Sequence, residues 1–424
     1  MTVKLKTLMA ATAITAAVAA TALAADWPAF HGPDRTNRSR ETGLLRQWPQ
    51  EGPRKLWTAT GIGNGYSGVV TSRGIIYTAG VKNNQNFLFA LDSDGKILWE
   101  TPAGRAWVAT RAFARSYVGT RSTPTVDPAS NTVFLLSDTG VLIAADAATG
   151  ALKWQVNIPE KYGAEMPLYG YTESPVIDGD AIFVSAYGTG ASVVALNKNT
   201  GAEIWASPSF GTRQSAGDAG YASPIIIDNN GFRQLVSFSS AFLYGMDTKT
   251  GRLLWTVPMA NNRENNCTDP IYVGNGHIFA SSGYGRGSML VKLELNNRGE
   301  FAPRKVYDVK LMDNHHGGVI LHDGHIYGSG HESRGWFCIN AMTGRQVWNA
   351  PGKGAVTFAD GMLYLYGEDG AMSLARATPQ GFNVISSFQV PEGELKSYFW
   401  AHPVVSHGVL YVRYADQLHA YAVK

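Results

Sequence analysis

The side chains of this 424-residue chain that could do chemistry cluster just ahead of short apolar runs. Arg121, Tyr171, Glu173, Tyr221, Asn262, Asp269, His315, His316 and His402 stand there, and Arg115, Tyr284, Arg286, His331, Glu332 and Trp400 lie in nearby loop sequence. If the runs converge on one axis, these residues form a polar funnel that binds a ligand. The alternative is that they satisfy loop backbone and line a wet channel. A His or Tyr beside Arg121 or Glu173 could act as a general acid or base. Two His and a carboxylate suit zinc, iron or copper, so His315, His316, His331 and Glu332 are the metal candidates. Adjacent strand residues point to opposite faces, however, so His315 and His316 would not share one metal in a regular strand. The spacing matches no metal motif, and no catalytic residue is assigned.

Several standard chemistries are missing from the sequence. It has no CxxCH for c-type haem, no Walker phosphate loop and no HExxH. The SSGYGRG run from Ser281 to Gly287 resembles a glycine-rich loop only in composition, because no helix pattern follows it. The two cysteines, Cys267 and Cys338, fall in different repeats, and their spacing leaves a disulfide open.

What must position the polar residues is a repeat. GVLIAADAATGALKW, Gly140 to Trp154, reads as a strand, a tight turn closed by Thr149-Gly150, and a second strand carrying a Trp. Copies end at Trp99, Trp205, Trp255 and Trp348, with Tyr307 and Phe388 in weaker ones, at steps of roughly 40–55 residues. That period with four strands per unit predicts a β-propeller. Each Trp is expected to cover a seam between blades, worth roughly 4–6 kcal/mol at most from about 150–250 Å².

Inner-strand starts fix the count. They read Gly65–Gly68, Arg121–Pro124, Thr172–Pro175, Tyr221–Pro224, Cys267–Pro270, His315–Gly318, Lys353–Val356 and Trp400–Pro403. The expected fold is therefore all-β: an eight-bladed β-propeller of four-stranded blades. Lys55-Leu56-Trp57 is an outer strand with no blade before it, and Gln417–Val423 has none after it, so joining them closes the ring. Residues 1–25 read as a signal peptide: Lys4 and Lys6, an Ala-rich apolar run, and Ala22-Leu23-Ala24 for cleavage. Residues 26–53 are an extended N-terminal arm and 54–424 the propeller. The longest connections, Ala103–Thr120, Pro159–Tyr171, Phe210–Gly220, Ala260–Asn266 and Glu392–Phe399, all fall on the face where the inner strands start. Function tends to sit in such loops.

A net charge of +3 shows no nucleic-acid footprint, and no later stretch is apolar and long enough to span a membrane. The expectation is a periplasmic or secreted monomer without a lipid-anchor Cys. The Ala-Leu-Asp-x-x-Thr-Gly-x-x-x-Trp repeat resembles that of the PQQ-like, quinoprotein alcohol dehydrogenase-like, eight-bladed propellers. Asp26-Trp27-Pro28 and Asn314–Gly318 are similar to an exported BamB-like, polyvinyl alcohol dehydrogenase-like subgroup. The resemblance implies one of two roles. One is a scaffold or binding protein, with an envelope protein or a small-molecule or glycan ligand in the funnel. The other is a PQQ-dependent alcohol dehydrogenase-like oxidoreductase, which would hold PQQ with Ca²⁺ and an Asp base, often beside a disulfide of adjacent cysteines. This chain has no adjacent Cys pair, and the usual calcium set is not recognised in it. Binding is the first reading, the oxidoreductase the alternative, and a propeller enzyme acting on a carbohydrate polymer the second alternative.

Overall fold

The apolar alternation of the repeat pairs Val141–Asp146 with Leu152–Asn157 across the Thr149-Gly150 turn. The first of these strands is buried on both faces and the second alternates, as expected of an outermost strand. Trp154 stands opposite Ala144, and a bulge follows at once between Ala144 and Ala145. The same bulge recurs after Ala90, Ala195, Gly245, Leu290, Cys338 and Leu374. It adds the local twist that lets each blade coil away from the axis.

The computed structural model describes residues 26–210, 219–263 and 265–424. The expected signal peptide, residues 1–25, lies outside them, as does most of the loop from Phe210 to Gly220. The strands form eight antiparallel four-stranded sheets arranged as a propeller. Numbered from the N-terminus, the inner strands are Val70–Ser72, Thr125–Asp127, Val176–Asp178, Ile225–Asn229, Ile271–Gly274, Val319–His322, Gly354–Ala359 and Val404–Ser406. Lys55–Ala59 supplies the outer strand of blade 8 by pairing with Gln417–Ala422, which closes the ring as expected.

The apolar core lies in the seams. Phe134, Leu142 and Tyr171 of blade 2 and its exit meet Ile182, Val194 and Leu196 of blade 3, for example. Outer-strand aromatics cap these seams. Trp154 Nε1 donates to Lys198 O at 3.0 Å, Trp205 Nε1 to Thr248 O at 3.0 Å and Trp348 Nε1 to Thr378 O at 2.9 Å, each in the next blade. The Thr-Gly turn must be Gly because the Trp sits on it: a Cβ on Gly150, at φ +73°, would lie 2.6 Å from the Trp99 ring.

A second belt runs around the axis. Gly68 N donates to Thr123 Oγ1, Thr123 N to Ser174 Oγ, Ser174 N to Ser223 Oγ and Ser223 N to Asp269 Oδ1, at 2.7–3.0 Å. This explains the third residue of the Ser/Thr/Asp-Pro signature: it accepts a backbone N–H from the blade before.

Residues 26–46 run across the axial channel. Trp27 pairs with Thr71 of blade 1, Pro28 O accepts Val126 N of blade 2, and Arg35 donates to Ser174 O and Pro175 O of blade 3. Arg38 donates to Leu321 O of blade 6, and Asn37 and Ser39 pair with Phe358 of blade 7. These contacts run from Ser174 and Pro175, just ahead of the inner strand of blade 3, to Leu321 and Phe358 near the ends of those of blades 6 and 7, so this segment plugs the channel beneath the loop-rich face.

Candidate functional site

At the loop-rich face the inner strands leave a cavity of about 390 Å³ on the axis. Aromatic rings make most of its wall. Trp400 stacks on Tyr398 (4.3 Å between centroids, 14° between planes), and Tyr66 and Tyr117 lie 5.4 and 5.5 Å from Trp400. The arc continues from Tyr117 through Tyr169 to Tyr221. His315, His316 and His331 complete the wall, with the His316 ring 4.6 Å from that of Trp400 and Tyr284 Oη 3.3 Å from His315 Nε2. The residues crossing the channel supply the floor: Phe30 stacks on His31, whose Nδ1 lies 3.2 Å from Asp269 Oδ2 and whose Nε2 lies 3.2 Å from His402 Nδ1.

One buried carboxylate organises the His side. Asp313 accepts N–H groups of Gly285, His331 and Glu332 at 2.9–3.0 Å and the Ser333 hydroxyl at 3.1 Å. This ties the Tyr284 loop to the His331 loop. Asp313 to Gly318 is not a strand, and Met312 and Gly318 both have positive φ. The opposite-faces argument for His315 and His316 therefore does not apply: their rings lie 4.6 Å apart, beside each other in the wall. Gly318 is required here, because a Cβ would lie 2.9 Å from the His402 ring.

The His side of the wall is uncharged. Burial drives the imidazoles of His315 and His316 well below their usual range, pushes His331 down to about 4, and with His31 nearby takes His402 to about 3. All four are neutral at pH 7, so each ring offers one donor and one acceptor. His315 Nδ1, both ring nitrogens of His316 and His331 Nδ1 have no hydrogen-bond partner among the described residues. The Arg121 guanidinium is spent on the carbonyls of Tyr117 and Tyr169, and Lys353 pairs with Glu368 at 2.8 Å. Burial pushes the Cys267 thiol up to about 12, and Cys267 and Cys338 are both free.

A family model described as outer membrane protein assembly factor BamB matches residues 106–350. The chain belongs to this family. The BamB-like propeller also matches solved structures. BamB from Moraxella catarrhalis aligns at TM-score 0.58 and 17% identity, over 87% of this chain and 99% of that one. Quinohemoprotein alcohol dehydrogenase from Comamonas testosteroni aligns at 0.61 and 13%, over 94% and 81%. A europium-containing methanol dehydrogenase aligns at 0.51 and 15%, over 92% and 89%. At these identities the likeness shows the shared fold alone. A search of curated proteins finds no match.

The residues of this BamB-like pocket do not fit PQQ with calcium. Asp269 is the one carboxylate among the described residues that line it, with Oδ1 on Ser223 N–H and Oδ2 left without a hydrogen-bond partner 3.2 Å from His31 Nδ1, while Glu173 uses both oxygens on Ser185, so no set of free carboxylates is present to hold the calcium. The set His315, His316, His331 and Glu332 does not converge either, because Glu332 is exposed and faces a neighbouring groove. Among the described residues no three His, Cys, Asp or Glu side chains group as a metal site.

Of the residues singled out in the sequence, Arg121, Tyr221, Asp269, Tyr284, His315, His316, His331, Trp400 and His402 line the cavity. Others do not. Tyr171 is wholly buried in the seam, its hydroxyl on Ala186 O at 2.8 Å. Asn262 and Arg115 are exposed, and Arg286 pairs with Asp308 at 2.7 Å. Tyr169 and Asn265, a few residues away, hold the places expected of Tyr171 and Asn262. The sequence reading also missed Phe30, Tyr66, Tyr117, Cys267 and Lys353 as wall residues. Tyr66 and Lys353 do lie within the inner-strand starts, and that position was the available signal.

Glu173 sits behind the wall, 1% exposed, and burial pushes its carboxyl up to about 7 against the pull of the Ser185 bonds, with Asp269 adding to the rise. A raised folded value stabilises most below the ordinary Glu range, and the contribution is lost as pH rises through about 7. Glu173→Gln should therefore gain on the parent between pH 5 and 7.5, by about 2–3 kcal/mol. Denaturant unfolding of both proteins at each pH checks this. A difference that does not change with pH would place the charged form in the folded protein throughout.

Proposed function

We propose that this chain is an exported binding protein whose axial pocket takes an uncharged, hydroxyl-bearing ring, such as one sugar unit of an envelope glycan. The carrying observation is the pairing of the Tyr398–Trp400 stack with neutral His315, His316 and His331, which together hold four buried ring nitrogens without a hydrogen-bond partner among the described residues. An aromatic face takes the apolar side of a ring, and neutral imidazoles meet hydroxyls both as donors and as acceptors. Lys353 is paired with Glu368, and the Arg121 guanidinium, still charged, is held against the wall by the Tyr117 and Tyr169 carbonyls, so polar recognition of a neutral ring falls to the histidines. Export rests on Lys4, Lys6, the Ala-rich run and Ala22–Ala24. No helix among the described residues is long and apolar enough to cross a membrane.

Trp400→Ala should weaken binding of a neutral saccharide at least tenfold, with little change in unfolding midpoint. Calorimetric titration of both proteins with mono- and disaccharides of glucose and N-acetylglucosamine tests this. Equal binding by the variant would remove Trp400 from the site. Tight binding of PQQ with Ca²⁺ by the parent would favour the oxidoreductase reading instead.

A second reading has its own observation. Val108 and Phe113 on the funnel rim are 78% and 58% exposed, and the same loop reaches the 392–399 loop through Tyr117 and Tyr398. Apolar residues gathered on a rim are what a protein partner would cover. An envelope protein docked there would use the outer-membrane assembly role named for BamB and leave the pocket free for its own ligand.

A further inference from the structure

The connections between blades on the funnel face are not equal. Residues 106–124 join blades 1 and 2, residues 158–175 join blades 2 and 3, and residues 390–403 join blades 7 and 8. Between blades 6 and 7 there are only Gly352 and Lys353. The turn between the second and third strands of blade 7, Glu368 to Gly370, is also short. The rim is therefore notched at this seam, where the blade-to-blade connection is shorter than any other whose residues are described. Gly352 keeps the notch low, because a Cβ there would lie 2.3 Å from Trp336 Nε1.

Outside the notch lies a groove of about 710 Å³. Trp336, Phe382 and Val384 give it an apolar floor, and Arg334, Glu332 and Asp369 stand among its polar groups. His331 and Lys353 line both this groove and the axial pocket, so the two spaces meet across these side chains. The Lys353–Glu368 pair stands at the junction, with Glu368 Oε1 3.5 Å from His316 Nε2.

We infer that the axial pocket is one end of a longer site, and that its ligand is a linear glycan whose terminal unit sits against Trp400 while the following units leave between blades 6 and 7. The inference rests on the proposed ring-binding role of the pocket, since the molecule in a continuous groove is the one that fills its inner end. Aromatic floor with polar edges, repeated inside and outside the notch, suits a chain of like units. A rigid free ligand confined to the axis would need no gap in the rim.

The test is a ladder of chito- and malto-oligosaccharides from one to six units, titrated into the parent, Trp400→Ala and Ser373→Trp. Ser373 lies in the groove and not in the axial pocket. The expected result is affinity that rises at least tenfold from one unit to four or more. Ser373→Trp should abolish that rise and leave single-unit binding unchanged, whereas Trp400→Ala should weaken every rung. Phe382→Ala, which removes floor without adding bulk, should flatten the ladder in the same way if Ser373→Trp folds poorly. Single-unit binding with no gain from length overturns the groove and leaves the pocket reading standing. No binding by any rung overturns both. An unfolded polypeptide that competes with the long rungs but not the short ones would assign the groove to a protein segment and overturn the glycan chain.

Discussion

Arg413→Met should destabilise the folded protein by about 4 kcal/mol and lower the unfolding midpoint by about 8 °C. Arg413 is 2% exposed and projects from the second strand of blade 8 into blade 1. Its guanidinium donates to Ala415 O, Ser67 O, Thr78 Oγ1, Ala79 O and Gly63 O, at 2.5–3.3 Å. Burial pushes it down to about 9, opposed by the charge of Asp416, and it stays protonated at pH 7. Methionine fills most of the volume and satisfies none of the acceptors. Each orphaned buried group costs about 1–3 kcal/mol, and relaxation of the loop recovers part of the total. The site feels the change as well. Gly63 and Ser67 bracket Tyr66, so losing their anchor should also weaken ligand binding in the pocket. Arg413→Lys should recover less than half of the stability, because an ammonium has three donors and cannot span the fork. Chemical unfolding of the three proteins decides it, and a loss below about 1 kcal/mol for Met would mean that the blade 8–blade 1 seam holds without this fork.

The repeat was legible because one geometry recurs. Trp99 on Gly150, Trp154 on Gly201 and Trp205 on Gly251 are the same contact in successive blades, so composition at those positions is dictated by sterics and shows through. The ring closure was legible for a similar reason, since an unmatched outer strand at one end has only one partner left. The site was legible in its inner-strand positions and lost in its loops. Tyr171 was expected in the funnel from its place at the entry to the inner strand of blade 3. Gly170, at φ +71°, turns the chain so that Tyr169 faces the cavity and Tyr171 enters the seam. A Cβ on Gly170 would lie 2.4 Å from Asp138 O, so the turn is fixed by packing that no local pattern records. The floor was not legible at all. Phe30 and His31 belong to a segment without period, and only the tertiary path of that segment brings them under the pocket.

Removal of that floor is the second large effect. His31→Ala should cost about 3 kcal/mol and weaken pocket ligands at least tenfold. Three of the clear inner-strand starts place Thr or Ser where blade 5 has Asp269, and all four accept the neighbouring N–H. Serine would suffice for that bond, so the second oxygen of Asp269 is surplus to the belt. It is 3.2 Å from His31 Nδ1, and the residue is 5% exposed. Truncating His31 removes the imidazole nearest to this oxygen, which has no hydrogen-bond partner even in the parent, frees His402 Nδ1, and removes the ring on which Phe30 stacks at 3.8 Å. The left-handed backbone of His31, at φ 64°, suits His better than Ala and adds a little to the loss. A double-mutant cycle separates the pair from the packing. If the ring serves chiefly as the partner of Asp269, Asp269→Ser should cost markedly less in the His31→Ala background than in the parent, with a coupling of about 1–3 kcal/mol. Additive losses would instead make His31 a plug that acts through volume alone, and the surplus oxygen of Asp269 would then face the pocket as a ligand-binding acceptor.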